Sequence, residues 1–97
     1  MDVRGLSYEE EVEVHRRLID DLNVELVGLL RKRVDAALEV GRVKRRHGRG
    51  IRDPAREEAV VGRARALAEV RGLDSRGVER VFRDIIRLCA EAEEAAA

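Results

Sequence analysis

The sequence predicts an all-α protein, with three helices per chain, a very long first helix and an intertwined homodimer. Two patterns carry the helices. Apolar residues recur at helical spacing from Ser7 to the "HGRG" at residues 47–50, and Pro54 and Gly72 bracket a second, shorter segment. No strand candidate stands out beside these helical patterns. The pairing follows from length, as argued below.

The first helix opens at "SYEE", where Ser7 and Glu10 have the spacing of a capping box. Two rows of apolar side chains then step by seven. One is Val12, Ile19, Leu26 and Val40; the other is Leu22, Leu29, Ala36 and Val43. Gly28 and Gly41 lie inside this helix, where each weakens it but permits close approach of a neighbour. The second helix runs from Pro54 to Val70, capped by Asp53. The third begins near Asp74 or Ser75 and carries Val78, Val81, Phe82, Ile85, Ile86 and Cys89 on one stripe. The Ala/Glu-rich tail, residues 94–97, is expected to fray.

About 39 residues in one helix span roughly 58 Å. A 100-residue globule has a radius of gyration of only about 13 Å. Two shorter helices of the same chain cannot cover such a seam, so a second copy is expected to bury it.

The bulk numbers exclude several classes. Basic and acidic residues balance at 20 each, which leaves no global field toward nucleic acid or membrane. Lys32 and Lys44 are the only lysines among the 20 basic residues. The single cysteine, Cys89, rules out an intrachain disulfide framework and a cysteine-rich zinc site. The acidic, broken N-terminus does not read as a signal peptide, and no apolar run reaches membrane-spanning length. A soluble cytoplasmic protein without cofactor or metal is expected. His15 and His47 receive no role.

Several charges sit where apolar residues belong. Arg33 interrupts the row Val12, Ile19, Leu26, Val40. Lys44, eleven residues on, projects within about 20° of it, roughly 16 Å along the axis. Arg56 shares a face with Val60, Ala64 and Leu67, so it and Glu57 read as inward-pointing. Glu93 continues the stripe of Phe82, Ile86 and Cys89. Each alone reads as a snorkelling surface residue. Together, buried Arg, Lys and Glu are costly unless paired or ligand-bound. A polar cavity for a small dianion fits the pattern.

The stretch "RRLIDDLNVELVGLLRKRVDAALEVGRVKRRHGRGIRDPAREEAV" resembles the all-helical chorismate mutases. The ordered set of Arg, Ile-Asp, Leu-Leu, Arg, Val-Gly and Lys, followed by "DPAREE", carries the resemblance, which spans residues 16–93. It implies one chorismate mutase-like domain over residues 1–97, with 1–7 as an extension. It implies rearrangement of chorismate to prephenate, a [3,3] shift in aromatic amino-acid biosynthesis with no covalent intermediate. By that likeness Arg33 and Arg16 grip the two carboxylates, and Lys44 reaches a carboxylate and the ether oxygen. Arg56 supports the carboxylate end, and Glu57 with the Asp53 backbone takes the ring hydroxyl. Arg16 lies roughly 25 Å from Arg33 along a helix and about 100° around it. One small ligand cannot touch both from one chain, so Arg16 is expected to cross into a partner's pocket.

Two positions depart from the common bacterial pattern. Cys89 stands where many relatives have Ser, and Glu93 where many have Gln. An ionised carboxylate cannot donate a hydrogen bond, so Glu93 has to be protonated to serve the ether oxygen, and activity is expected to fall as pH rises. Three other readings stand beside the mutase. An isochorismate pyruvate lyase uses a similar helical fold and a similar cationic pocket. A non-catalytic helical dimer docking on a shikimate-pathway enzyme would need no turnover. In the mutase reading no separate regulatory domain is expected within 97 residues. Nucleic-acid binding through "RVKRRHGR", residues 42–49, lacks interleaved aromatics.

Overall fold

The computed structural model describes residues 5–96, and every regular element among them is helical: α1 Tyr8–Arg46, α2 Pro54–Val70 and α3 Ser75–Ala95. No helix among them is long and apolar enough to cross a membrane.

Each boundary has a local cause. At the start of α1 the capping box closes reciprocally: Glu10 N–H donates to Ser7 Oγ at 3.2 Å, and Ser7 N–H to Glu10 Oε1 at 3.3 Å. Glu9, Glu10 and Glu11 occupy the first turn, and Lys44, Arg45 and Arg46 the last, each sign matching the helix dipole. The helix stops because Gly48 takes φ +65°, a left-handed conformation open to glycine at low cost. Gly48 N–H then bonds Arg45 O at 3.1 Å and Arg49 N–H bonds Lys44 O at 2.8 Å, the Schellman pattern. Gly72, with φ +68°, ends α2 in the same way: Leu73 N–H bonds Ala68 O at 2.9 Å. Asp53 caps α2 by accepting from Arg56 N–H at 3.1 Å, with Pro54 in the first position. Asp74 caps α3 through Arg76 N–H at 3.2 Å.

The described residues form two units, divided between Arg31 and Lys32. The first holds α1 up to Arg31, and its apolar residues Leu18, Ile19, Leu22, Leu26 and Leu29 are all exposed. In the second, α2 packs on α3 through small side chains: Val61, Ala64 and Ala68 are buried on one helix, Cys89 and Ala90 on the other. Ion pairs seal the edge of this contact. Arg83 reaches Glu58 at 3.0 Å and Glu79 at 3.0 Å, and Arg65 lies 3.6 Å from Glu79.

Three expectations need correction. The buried row of α2 is Val61, Ala64 and Ala68, not Val60, Ala64 and Leu67; Leu67 is 55% exposed. Arg56, on the same row as Val60, is exposed, yet both line a cavity of the second unit. On α3, Val81 is exposed although it belongs to the apolar stripe. The tail also stays helical longer than expected: α3 runs to Ala95, and Ala96 N–H bonds Ala92 O at 3.1 Å.

Candidate active site

The second unit encloses a cavity of about 330 Å³. Its wall from α1 carries Arg33 and Lys44. The loop and the start of α2 add Arg52, Asp53, Arg56 and Glu57, and α3 adds Cys89 and Glu93. Val40, Val60 and Ile86 supply apolar surface between them. Seven of the eight residues expected from sequence therefore meet at one cavity. The eighth, Arg16, is exposed in the first unit and does not line it.

The periodicity of α1 explains the first wall. Arg33, Val40 and Lys44 share one face, so the cavity has cations at two heights of a single helix. Arg33 is half-buried, and its guanidinium donates to Cys89 Sγ at 3.0 Å. Cys89 is only 4% exposed, so this bond anchors the arginine head against α3. Lys44 donates from Nζ to the backbone carbonyl of Ile51, which ties the end of α1 to the loop entering α2. The same ammonium lies 3.9 Å from Glu93 Oε2. That is an ion-pair distance, too long for a hydrogen bond.

Glu93 is 7% exposed, and its Oε2 has no hydrogen-bond partner. A buried carboxyl oxygen without a partner costs about 1–3 kcal/mol or more. Such an atom on a cavity wall is poised for a ligand group. Gly41 makes room for it: a Cβ there would stand 3.3 Å from Glu93 Cγ and 3.3 Å from Oε2.

Glu57 is arranged differently. Arg52 donates to both its oxygens, Nε to Oε2 at 2.7 Å and Nη2 to Oε1 at 2.8 Å. The hydrogen bonds from Arg52 hold the Glu57 carboxyl below the usual glutamate range, against a smaller opposing effect of burial. Asp53 spends its side chain on the α2 cap, and Arg56 lines the cavity while remaining exposed, which puts it at the mouth.

Sequence reasoning missed Arg52, Gly41 as the space for Glu93, and the Ile51 carbonyl. Arg52 and Glu57 flank the Asp53 cap five residues apart, a spacing that brings side chains together only when a loop meets a helix in this way. No group of three or more His, Cys, Asp or Glu among the described residues has the geometry to hold a metal ion.

Residues 15–94 match the family described as chorismate mutase type II. The chain belongs to that family. As a type II chorismate mutase family member it is 37% identical over 82 residues to the T-protein of Haemophilus influenzae, covering 84% of this chain and 22% of that protein. It is 36% identical over 77 residues to the T-protein of Enterobacter agglomerans, covering 79% and 21%. It is 28% identical over 89 residues to the 4-amino-4-deoxychorismate mutase of Streptomyces venezuelae, covering 92% and 86%. The chain thus spans about a fifth of the T-proteins it matches and most of the amino-deoxychorismate enzyme.

Proposed function

We propose that this chain is a chorismate mutase, an isomerase converting chorismate to prephenate in aromatic amino-acid biosynthesis. The observation that carries the proposal is one cavity of ligand size, with two cationic side chains on one wall and an unpartnered carboxyl oxygen facing them. The rearrangement breaks one C–O bond and forms one C–C bond within the same molecule. No proton transfer or covalent intermediate is needed. The protein's work is to hold the compact conformer and to stabilise charge on the departing ether oxygen.

In this reading Arg33 forks onto one carboxylate of the substrate, with its head held by Cys89. Lys44 serves as a point charge toward a carboxylate and the ether oxygen. Glu93 meets that same oxygen from α3, through the Oε2 atom that has no hydrogen-bond partner. Glu57 and the Asp53 backbone meet the ring hydroxyl, and Arg56 steadies the carboxylate end from the mouth. Arg16 completes the site from a second copy of the chain. The exposed apolar row Ile19, Leu22, Leu26 and Leu29 supports that homodimer, since so much aliphatic surface on one helix favours burial against a partner. The cytoplasm is the proposed location.

A second substrate enters because of the relative from Streptomyces venezuelae, whose name specifies 4-amino-4-deoxychorismate. That compound replaces the ring hydroxyl by an amine, and the same cavity would receive both.

Incubating the purified chain with chorismate and identifying the product tests the reading. Prephenate is expected. Pyruvate released from isochorismate, with chorismate untouched, would make the chain a lyase; silence on both would leave a binding module. A monomer by light scattering at micromolar concentration would remove the dimer and the role of Arg16.

A further inference from the structure

Arg52 has no role of its own in the reaction as read above, yet it grips both oxygens of Glu57 with a bidentate fork at 2.7 and 2.8 Å. We propose that Arg52 selects the ring substituent of the substrate: by neutralising Glu57 it favours an uncharged hydroxyl over an ammonium at the same carbon. This rests on the mutase reading above, in which Glu57 meets that substituent.

The charges around Glu57 support the assignment. Besides Arg52, the cations Lys44 of α1 and Arg83 of α3 act on its carboxyl, while Glu94 of α3 acts on Arg52. An aliphatic amine is largely an ammonium at neutral pH. Entering here, it would shed water beside a carboxylate already spent on a guanidinium, with a second cation nearby. A hydroxyl asks less. A carboxylate has about four lone-pair sites and Arg52 uses two of them, so about two remain to accept O–H. Asp53 offers no substitute, because its side chain caps α2. The Glu93 Oε2 atom is the one buried side-chain oxygen among the described residues left without a hydrogen-bond partner, and the reaction itself claims it. Arg52 is thus a positioning and specificity residue acting through Glu57.

The test is kcat/KM for chorismate and for 4-amino-4-deoxychorismate, measured on the intact chain and on Arg52→Gln and Arg52→Lys, with helicity checked by circular dichroism. The wild type is expected to prefer chorismate. Arg52→Gln is expected to move the ratio toward the amine by about tenfold, and Arg52→Lys to keep most of the preference, since its charge remains. A ratio unchanged in Arg52→Gln, even with both rates reduced, would make Arg52 merely structural and overturn the inference alone. A wild type preferring the amine would overturn it as well. Turnover of neither substrate would overturn the mutase reading and the inference with it. Should Arg52→Gln not fold, Glu57→Gln reads the same claim: an unpaired Arg52 should enlarge the preference for chorismate, and a smaller preference would contradict it.

Discussion

Glu57 and Glu93 line the same cavity and have opposite surroundings. Glu57 is partly exposed near the mouth and has both oxygens on one arginine. Glu93 is buried, and its Oε2 has only a lysine 3.9 Å away. Pairing at Glu57 leaves, in the proposed reading, an acceptor for a hydroxyl whose charge is already offset by Arg52. The Glu93 oxygen without a hydrogen bond is a destabilising feature that a bound ligand can relieve. In the proposed reading one carboxylate shapes recognition and the other serves the reacting atoms.

The predictions probe that contrast, from the largest expected effect downward. Arg33→Ala removes the half-buried guanidinium held by Cys89 and should lower kcat/KM for chorismate by about 10²–10³-fold, the usual scale for a lost charge-stabilising donor. A loss under about threefold in steady-state kinetics would place the dianion elsewhere. Gly41→Ala should press on the Glu93 carboxyl, because the new Cβ meets Cγ and Oε2 at 3.3 Å. About a tenfold fall in kcat is expected with KM little changed, since small misplacements at a reacting centre are costly; normal kcat would show that the position of Glu93 does not matter. Glu93→Gln puts an amide that can donate to the ether oxygen where the carboxylate can only accept. kcat for chorismate is expected to rise, and an unchanged or lower kcat would show that no donor is needed at that position.

The smallest effect belongs to Glu57 and is one of stability. Its carboxyl is held below the usual range by Arg52, so its contribution is fully present above the unfolded value and is lost as pH falls through the lower folded value. The thermal midpoint should therefore fall slightly more steeply below pH about 4.3 in the wild type than in Glu57→Gln. Identical slopes in the two proteins would mean that the pair contributes nothing measurable, as many exposed ion pairs do.

Much of the fold was legible because each helix end has a local signal. Ser7 with Glu10, Asp53 with Pro54, and Gly72 mark their boundaries without help from tertiary packing. The buried face of α2 was not. Ala or Val occurs around most of its circumference, at 55, 59, 60, 61, 64, 66 and 68, so periodicity cannot say which row meets α3. The misplacement of Leu67 follows from that ambiguity. In the site, Arg33, Lys44 and Glu93 stood out as charges in apolar rows, a signal that survives folding because the rows themselves are fixed by the helix. Arg52 left no such mark, since its grip on Glu57 exists only once the loop after Gly48 has turned into the α2 cap.

The most direct measurement compares wild type and Lys44→Ala for conversion of chorismate, with the product identified by chromatography. Lys44 is the ammonium nearest the open oxygen of Glu93, and it carries the proposed charge stabilisation at the ether oxygen. The account predicts prephenate from the wild type and a loss of about 10³-fold in kcat/KM for the variant, with helicity and assembly unchanged. Equal turnover by the two proteins, or no prephenate from the wild type, would contradict it.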